Sequence, residues 1–276
     1  IFLLSQWKNY SCERREGQRL RSRALRGFGI YEGLITHNRK PFALADHLAR
    51  FHRSAKQLQL KVPLSDKGIA DILADLIRRN VPKGREGLIR IILTGGNAID
   101  GIVHNPRTPT LYMLVEIFHP VPSSYVRKGC AISTFEHARQ FPALKTTNYI
   151  QAVLLQKTKR VQDLQEVLFV DKGKVLEATG SNFFIVKKGV IITPKEGMLH
   201  GITRKIVIEL ARGRCTVRQR AVTLKEALRA DEAFITGSFK EIVPVVRIDG
   251  RKIGAGTPGP VTRKMIELFE EKARNY

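Results

Sequence analysis

A closely spaced run of short apolar segments between residues 166 and 193 constrains the fold of this chain most. The segments are 166–171, 174–177, 182–186 and 190–193, and the turn sequences Asp-Lys-Gly and Lys-Lys-Gly separate the first pair and the last pair. Short runs of β-branched and aromatic residues bounded by such turns are typical of strands. The run therefore predicts an antiparallel meander, and with it a sheet in the second half of the chain.

Amphipathic helices accompany the strands in both halves of the chain. In residues 46–60, Leu48, Phe51 and Ala55 recur at helical spacing, and Ser65 is placed to cap a second helix. Further strands are predicted at 27–36, 88–94 and 110–117, and further helices at 149–161, at 203–211, from 223 and from 261. This mixture of elements predicts an α+β protein.

A proline-rich segment divides the chain into two predicted domains. Residues 119–124 contain two prolines and two serines, a composition typical of linkers. We therefore predict a smaller N-terminal α+β domain over 1–118, an interdomain linker over 119–130 and a larger domain over 131–276. Residues 1–25 are basic and poorly periodic, and no element is assigned to them.

The charge balance raises the question of a nucleic-acid partner. The chain has 48 Lys and Arg against 25 Asp and Glu, a net charge of +23. The densest basic stretch, residues 14–26, holds six arginines but no aromatic residue that could stack on a base. The other basic residues are scattered, so the charge favours a basic surface that gathers small anions. Nucleic-acid binding is kept as a distant alternative.

Three further classes of protein are not expected. No apolar run approaches the roughly 18 residues of a membrane span. The histidines form no H-E-x-x-H pair, and His47 and His52 stand five apart, which does not suit two ligands on one helix face, so no metal is expected. The three cysteines form no C-x-x-C pair, which favours a reducing compartment and predicts a cytoplasmic protein.

One glycine motif suggests a nucleotide site but does not meet its requirements. Residues 254–259 match G-x-G-x-x-G. The dinucleotide fingerprint requires a following strand and an acidic residue about 20 positions further on. The residues after 259 predict one helix and no strand, so this segment is interpreted as a tight turn.

Four short segments together contain the groups needed for pyridoxal phosphate chemistry. They are Leu144-Lys-Thr-Thr-Asn-Tyr149, Leu176-Glu-Ala-Thr-Gly-Ser-Asn-Phe-Phe184, His200-Gly-Ile-Thr-Arg204 and Thr236-Gly-Ser238. They supply a lysine, a carboxylate on a strand and two turns rich in Gly, Thr and Ser, one of which starts a helix. A lysine forms the Schiff base, a carboxylate holds the pyridine nitrogen protonated and backbone amides bind the phosphate.

The order and spacing of these segments resemble the class IV (fold type IV) pyridoxal-phosphate aminotransferases. This family includes branched-chain and D-amino-acid aminotransferases and aminodeoxychorismate lyase, and the resemblance runs from about Arg26 to the C-terminus. It implies an α+β fold with a smaller N-terminal α/β sandwich and a larger C-terminal domain with an antiparallel sheet or barrel. It also implies pyridoxal 5'-phosphate as cofactor and a homodimer or higher homo-oligomer.

The resemblance carries a role to each matching residue. Lys145 is similar to the Schiff-base lysine and proton shuttle, which makes it the catalytic residue. Glu177 is similar to the partner of the pyridine nitrogen, and Arg50 to the phosphate-binding arginine. The remaining cofactor-binding residues implied by the resemblance are Tyr149, Gly180, Ser181, Ile202, Thr203, Gly237 and Ser238.

The substrate is implied less directly by the resemblance. The implied substrate contacts are Tyr31, Arg90, Ser238 and Phe239, with Arg90 similar to the arginine that receives the second carboxylate of glutamate. The implied reaction is a ping-pong transfer of an amino group between an amino acid, expected to be a branched-chain L-amino acid, and 2-oxoglutarate.

Several positions depart from the patterns of the family members. Leu88, Arg26 and Ile35 differ from the branched-chain enzymes, and Asp100 and Ile102 from the D-amino-acid enzymes. A D-amino-acid aminotransferase and aminodeoxychorismate lyase therefore stay open as alternatives.

Overall fold

The computed structural model describes residues 27–96, 98–100, 103–105 and 108–276. The basic segment 1–25, Arg26 and Ile102 lie outside the described residues. The helices are α1 Leu44–Gln57, α2 Asp66–Asn80, α3 Ser123–Lys128, α4 Ile150–Leu154, α5 Gln156–Val161, α6 Ile202–Ala211, α7 Leu224–Ala227 and α8 Pro260–Arg274. The strands are β1 Gly29–His37, β2 Lys40–Pro41, β3 Gly87–Thr94, β4 Ala98–Asp100, β5 Val103–His104, β6 Thr110–Ile117, β7 Cys130–Glu136, β8 Glu166–Asp171, β9 Lys174–Ala178, β10 Asn182–Lys187, β11 Val190–Thr193, β12 Val217–Gln219, β13 Val222–Thr223, β14 Glu232–Gly237, β15 Glu241–Ile248 and β16 Arg251–Lys252.

The chain forms two compact units. The first contains the described residues up to His119, together with Leu144–Tyr149 and Tyr276, and the second contains Pro120–Ala143 and Ile150–Asn275. The α+β class predicted from the sequence is confirmed, because each unit combines helices with a sheet. The domain bounds 1–118 and 131–276 with a linker over 119–130 stay a prediction.

A four-stranded antiparallel sheet forms the base of the first unit, in the order β2-β1-β3-β6. Burial alternates along β3, where Ile89, Ile91 and Leu93 are fully enclosed and the intervening residues are half-exposed. The enclosed residues share a core with Leu48 of α1 and Leu73 of α2. One face of the sheet therefore packs on the two helices and the other face remains partly open.

The two helices of the first unit begin close to the predicted positions. Ser65 caps α2 as predicted, because its hydroxyl accepts a hydrogen bond from the backbone N–H of Gly68 at 3.1 Å. Helix α1 begins at Leu44, two positions before the predicted start at Asp46, since Ala43 turns the chain into the helix with a positive φ of 52°. Its buried face carries Arg50.

A ten-stranded mixed sheet forms the second unit, with the main order β12-β11-β10-β14-β15-β7-β8-β9-β13 and β16 beside β15. Most pairings are antiparallel, as expected, but β7 runs parallel to β8 and β15, and β11 runs parallel to β12. The predicted meander is wrong at the step from β9 to β10. Strand β9 pairs with β8 and β13, whereas β10 pairs with β11 and β14, so the four segments form two separate hairpins.

Local departures from the predicted helices have simple backbone causes. The helix predicted over 149–161 is two short helices, α4 and α5, with Leu155 between them. The glycine motif at 254–259 is a turn, as interpreted from the sequence, with positive φ at Gly254 and Gly256. A Cβ on Gly254 would lie 2.0 Å from the carbonyl oxygen of Asp231, so this turn requires glycine.

None of the helices in the described part of the chain is long and apolar enough to cross a bilayer. In the same part of the chain, no three His, Cys, Asp or Glu side chains are grouped as metal ligands.

Glu232 on β14 holds the start of α8. Its Oε1 accepts from the N–H of Val261 at 3.0 Å and its Oε2 accepts from the N–H of Thr262 at 2.7 Å. We expect Glu232→Ala to lower the free energy of unfolding by about 1–3 kcal/mol, because two buried N–H groups lose a charged acceptor at the positive end of a helix. Urea unfolding followed by circular dichroism measures this. Equal loss in Glu267→Ala, an exposed residue of the same helix, would contradict the capping role.

Candidate active site

The backbone of residues 145–147 is fixed to strand β1 of the first unit. The N–H of Tyr31 donates to the carbonyl of Lys145 at 2.9 Å, and the N–H of Thr147 donates to the carbonyl of Gly29 at 2.9 Å. A Cβ on Gly29 would lie 2.8 Å from the carbonyl oxygen of Leu93, so β1 needs glycine here to sit against β3. The backbone of the candidate catalytic lysine is therefore held against β1 by hydrogen bonds, as in a pair of strands.

The ring of Tyr31 lies beside Lys145 and also contacts the ring of Tyr149. The Nζ atom of Lys145 stands 4.5 Å from the centre of the Tyr31 ring, within the range of a cation–π interaction. The ring of Tyr149 meets the Tyr31 ring edge-on at 5.6 Å. The structure thus brings together Lys145, Tyr149 and Tyr31, which the sequence had assigned to catalysis, cofactor and substrate respectively.

Arg50 forms a buried ion pair with Glu32. Its Nε donates to Glu32 Oε1 at 2.8 Å and its Nη2 donates to Glu32 Oε2 at 2.7 Å, while His47 Nδ1 lies 2.7 Å from Oε2. All three residues are buried. Because side chains alternate along β1, Glu32 faces the helices and Tyr31 faces the other side of the sheet. The carboxylate fixes the guanidinium that the sequence assigned to phosphate.

The electrostatics of this cluster favour one charge state. Burial raises the pKa of Glu32, but Arg50 and His47 outweigh it, and the pKa falls from 4.5 to about 2. Burial lowers the pKa of His47 and the hydrogen bond and charge of Glu32 raise it, but burial together with the charges of Arg50 and Lys145 outweighs Glu32, so the pKa is lowered. At neutral pH the cluster therefore contains a carboxylate, a guanidinium and a neutral imidazole that donates from Nδ1.

Arg90 lies on the same face of the sheet as Tyr31. It pairs with Gly33 across the β1–β3 ladder, and directly opposed residues point to the same side. Its guanidinium forms a salt bridge with Glu116 of β6, and both side chains are well exposed, at 39% and 54%. An exposed pair of this kind contributes at most about 1 kcal/mol, so Arg90 can exchange Glu116 for another carboxylate at little cost.

Glu177 is the main carboxylate among the predicted site residues of the second unit. Its Oε1 accepts a hydrogen bond from Nε of Arg139 at 2.6 Å, and its Oε2 accepts from the N–H of Leu199 at 3.0 Å. The side chain is buried near the end of β9. The carboxylate is therefore held from both sides.

The start of α6 has the properties of an anion site. Its N-cap residue is Gly201, no side chain caps the helix, and no acidic residue lies in its first turn, which contains Ile202 and Thr203. A Cβ on Gly201 would lie 2.0 Å from Oδ1 of Asn182, so no larger residue fits. The first backbone N–H groups of a helix attract an anion when no side chain satisfies them.

A buried hydroxyl close to this helix start also fits a ligand. Thr236 is opposite Asn182 in the β10–β14 ladder, and its buried Oγ1 has no hydrogen-bond partner. Buried hydroxyls are normally satisfied, and this one lies on the side of the sheet where Asn182 donates to the carbonyl of Leu199 at 2.7 Å. The uncapped helix and the unsatisfied hydroxyl fit a phosphate ester.

The two glycine turns of the second unit lie against each other. A Cβ on Gly237 would lie 3.0 Å from the carbonyl oxygen of Gly180 and 3.3 Å from Oγ of Ser181. Ser238 and Phe239 follow Gly237 and are half-buried. The second unit thus brings Gly180 and Ser181 close to Gly237.

Three residues with site contacts were absent from the sequence prediction. Glu32 and His47 stand in segments that carried predicted residues, and the spacing of His47 and Arg50 places them on one helix face. That spacing was the available signal for His47. Arg139 had no signal, because nothing in the local sequence links it to a glutamate 38 positions further on.

The comparisons with known proteins agree with this geometry. The model of the family "Amino-transferase class IV" matches residues 29–248. A Methanocaldococcus jannaschii protein, provisionally named a branched-chain-amino-acid aminotransferase, is 35% identical over 259 residues, covering 90% of this chain and 88% of the relative. The D-alanine aminotransferase of Bacillus licheniformis is 29% identical over 245 residues, covering 87% and 85%.

Solved structures show the same architecture. A T.th. branched-chain amino acid aminotransferase with pyridoxamine 5'-phosphate superposes with a TM-score of 0.87 at 29% identity, covering 99% of this chain and 94% of that one. Its complex with N-(5'-phosphopyridoxyl)-L-glutamate gives a TM-score of 0.85 at 30% identity, with coverages of 99% and 94%. A Legionella pneumophila protein provisionally named 4-amino-4-deoxychorismate lyase gives 0.78 at 25% identity, covering 88% and 90%.

The chain therefore belongs to the class IV aminotransferases, which are pyridoxal-phosphate-dependent enzymes of fold type IV. The family prediction and the fold prediction made from the sequence are both confirmed.

The Glu32 cluster generates a prediction about acid stability. A carboxyl whose pKa is lowered on folding contributes stability above its unfolded pKa and loses it as the pH falls through its folded pKa. As the pH falls from 4.5 to about 2, the stabilisation that ionised Glu32 gives the folded protein should therefore decrease by about 3 kcal/mol. We expect Glu32→Gln to be less stable at pH 7 and to show a shallower loss from pH 5 downward. Urea unfolding at a series of pH values tests this, and Glu270→Gln, an exposed carboxyl, should follow the wild type.

Proposed function

We propose that this enzyme transfers an amino group between a branched-chain L-amino acid and 2-oxoglutarate in a ping-pong reaction, with pyridoxal 5'-phosphate as its cofactor. When bound, the cofactor supplies an aldehyde that takes up the amino group and a ring that withdraws electrons from the substrate Cα. The residues of this chain bind that group, orient it and move the proton.

The position of Lys145 carries the proposal. Its backbone is hydrogen-bonded to β1, and its amine lies over the Tyr31 ring at 4.5 Å. An amine on a fixed backbone with a flexible side chain can attach the cofactor, leave it and then carry a proton between two carbons. Lys145 is therefore proposed as the catalytic residue, and Tyr149, which packs against the Tyr31 ring, as a cofactor contact.

The phosphate is proposed to bind at the start of α6. The N–H groups of Ile202 and Thr203 are uncapped, and Thr236 adds a buried hydroxyl. Ser238 and Gly237 belong to the neighbouring turn, which offers further backbone N–H groups. In the first unit, Arg50, held by Glu32, is proposed as a bidentate phosphate-binding cation.

Glu177 is proposed to hold a proton on the pyridine nitrogen. A carboxylate whose two oxygens are held by Arg139 and by the N–H of Leu199 is fixed in position, and its negative charge favours a protonated ring nitrogen placed beside it. The positive ring stabilises negative charge that develops on the substrate. Gly180 and Ser181, in the turn after the strand of Glu177, are proposed as further cofactor contacts.

The proposed substrates are supported by the names of the relatives and by the residues on one face of the sheet in the first unit. Two of the relatives described above carry branched-chain names, and one solved relative is bound to a glutamate adduct. Tyr31 and Arg90 share a sheet face, so an aromatic wall and a cation are available there. We propose Tyr31 and Phe239 for the side chain, Arg90 for the second carboxylate of glutamate and Ser238 for the α-carboxylate.

A D-amino-acid aminotransferase is the second candidate. The Bacillus licheniformis D-alanine aminotransferase matches 87% of this chain, nearly as much as the Methanocaldococcus protein. Aminodeoxychorismate lyase is a further candidate, supported by the structural match to the Legionella pneumophila protein with a TM-score of 0.78. All three reactions remove a proton from the carbon that carries the amino group. The spectrum described below therefore separates the two aminotransferases by the amino acid that changes it.

Assembly and location are part of the proposal. On α4, Ile150, Val153 and Leu154 are 70%, 64% and 66% exposed and lie at helical spacing on one side. Such a stripe supports a homodimer or larger homo-oligomer. Cys130 and Cys215, the cysteines of the described part of the chain, are free thiols, which supports a cytoplasmic location.

Lys145→Ala tests the assignment of the catalytic residue. Wild-type protein with pyridoxal phosphate should show the visible absorption band of a cofactor attached to an enzyme lysine, and L-leucine should convert it to the pyridoxamine form. The variant should lack that band and activity but keep its circular dichroism spectrum. The exposed Lys157→Ala serves as control. A yellow and active Lys145→Ala would refute the assignment, and a band that responds only to D-alanine would favour the second candidate.

Arg90→Ala tests the assignment of the second carboxylate. We expect its KM for 2-oxoglutarate to rise by about tenfold or more, because a charge-assisted hydrogen bond to a carboxylate is lost, while its KM for L-leucine changes little. Steady-state kinetics with each substrate varied gives both constants. Glu116→Gln, which removes the salt-bridge partner but keeps the guanidinium, should leave the KM for 2-oxoglutarate unchanged or lower it. Equal effects of Arg90→Ala on both substrates would contradict the role.

A further inference from the structure

Glu166 is a buried carboxylate that none of the roles above uses. It is the first residue of β8 and is 1% exposed. Three side chains donate to it: the hydroxyl of Thr179, the hydroxyl of Ser181 at 2.9 Å and the ammonium of Lys240 at 2.5 Å. Burial raises the pKa of Glu166, but Lys240, the Thr179 hydroxyl and the charge of Lys159 outweigh it and lower the pKa. The carboxylate is therefore ionised and fully hydrogen-bonded.

The three donors come from two different turns. Thr179 and Ser181 belong to the turn 178–181, which is closed by the N–H of Ala178 donating to the carbonyl of Ser181 at 2.8 Å. Lys240 closes the turn 237–240, where its N–H donates to the carbonyl of Gly237 at 3.1 Å. Glu166 thus joins two segments that are about 60 residues apart in sequence.

The two turns approach each other closely at their glycines. A Cβ on Gly180 would lie 3.3 Å from Oε1 of Glu166 and 3.7 Å from Nζ of Lys240. A Cβ on Gly237 would lie 3.0 Å from the carbonyl oxygen of Gly180. A change in the Glu166–Lys240 distance would therefore shift one glycine backbone against the other.

Stability alone is a weak explanation for this ion pair. Removing two charges from water costs about as much as their attraction returns, so a buried pair is often no better than two apolar residues. Its distinct contribution is a fixed geometry, since a charged hydrogen bond holds both ends at one distance. The pair also spans the turns that carry Gly180, Ser181, Gly237 and Ser238.

We infer that Lys240, acting through Glu166, is a positioning residue that fixes the spacing between turn 178–181 and turn 237–240. This inference rests on the proposed function, since turn 178–181 is proposed to contact the cofactor and turn 237–240 to contact the cofactor phosphate and the substrate α-carboxylate. Loss of the link leaves each turn folded but lets the two shift relative to each other. Anion binding across both turns is then weakened.

Four variants separate this role from simpler explanations. Lys240→Met removes the link, and Lys240→Arg keeps a donor to Glu166. The double variant Glu166→Gln with Lys240→Met removes both charges, so it relieves the buried charge without restoring the link. Lys159→Met is the control, because its charge also acts on Glu166 from α5.

Hydrogen–deuterium exchange of the protein without cofactor is the first readout. Lys240→Met should speed exchange in peptides that contain 178–182 and in peptides that contain 236–241, with little change elsewhere in the second unit. Lys240→Arg and Lys159→Met should resemble the wild type. The double variant should recover the thermal midpoint of the wild type but keep the fast exchange at both turns.

Absorption titration with pyridoxal phosphate is the second readout. A misplacement of binding groups by a fraction of an ångström should raise the dissociation constant of Lys240→Met and of the double variant by about tenfold. The KM for the amino acid should rise more than kcat falls. Lys240→Arg should restore both constants to near the wild-type values.

Two results would overturn the inference. One is exchange that rises uniformly over the second unit, or at one turn alone. The other is a double variant that behaves like the wild type at both turns, which would show that the pair only neutralises a buried charge. Failure of the proposed function has a different signature, because wild-type protein would then not bind pyridoxal phosphate, while the exchange data would still decide the role of Lys240.

Discussion

Three buried carboxylates, each neutralised by a cation from another element, organise this protein. The pairs are Glu32 with Arg50, Glu166 with Lys240, and Glu177 with Arg139. A buried carboxylate without a partner would be protonated or would unfold its surroundings. Each pair therefore fixes two elements relative to each other, β1 to α1 in the first unit and a strand to a turn or loop in the second. The glycines and hydroxyls of the site are positioned around these fixed points.

In the described part of the chain, the excess of basic residues lies mainly at the surface of the protein and not in its buried ion pairs. The chain carries a net charge of +23, yet Arg50, Arg139 and Lys240 are each matched by one of these carboxylates. Most other Lys and Arg side chains in the described part of the chain are exposed or half-exposed, so the excess charge there lies at the surface, where it can raise the local concentration of anions. Phosphate esters and keto acids are anions, so such a surface suits an aminotransferase without requiring a nucleic-acid partner.

Much of the fold was predictable from local sequence. The Ser65 cap, the strand at 88–94 and the turn at 254–259 depend on short-range chemistry, and the structure has them as predicted. The order of strands was not predictable in this way. Strand β10 pairs with β14, which is distant in sequence, and β9 pairs with β8 and β13. No local pattern in the sequence specifies these partners.

The same division holds for the candidate site. Lys145 and Glu177 were predicted as site residues because each belongs to a short motif. Their partners were not, since Arg139 approaches Glu177 only after the loop before Lys145 has folded, and Glu32 meets Arg50 only when α1 packs on β1. Residues that act directly leave a motif in the sequence, whereas residues that hold them are specified by the tertiary structure.

The uncapped start of α6 links ligand affinity to protein stability. A capping Ser, Thr, Asp or Asn stabilises a helix by roughly a few tenths of a kcal/mol relative to glycine, and such a residue at 201 would compete with the anion proposed to bind here. Asn182 blocks that route, because its Oδ1 occupies the position of a Cβ at 201. A single substitution at 201 therefore cannot replace the proposed anion site with a side-chain cap, and the start of this helix stays without one.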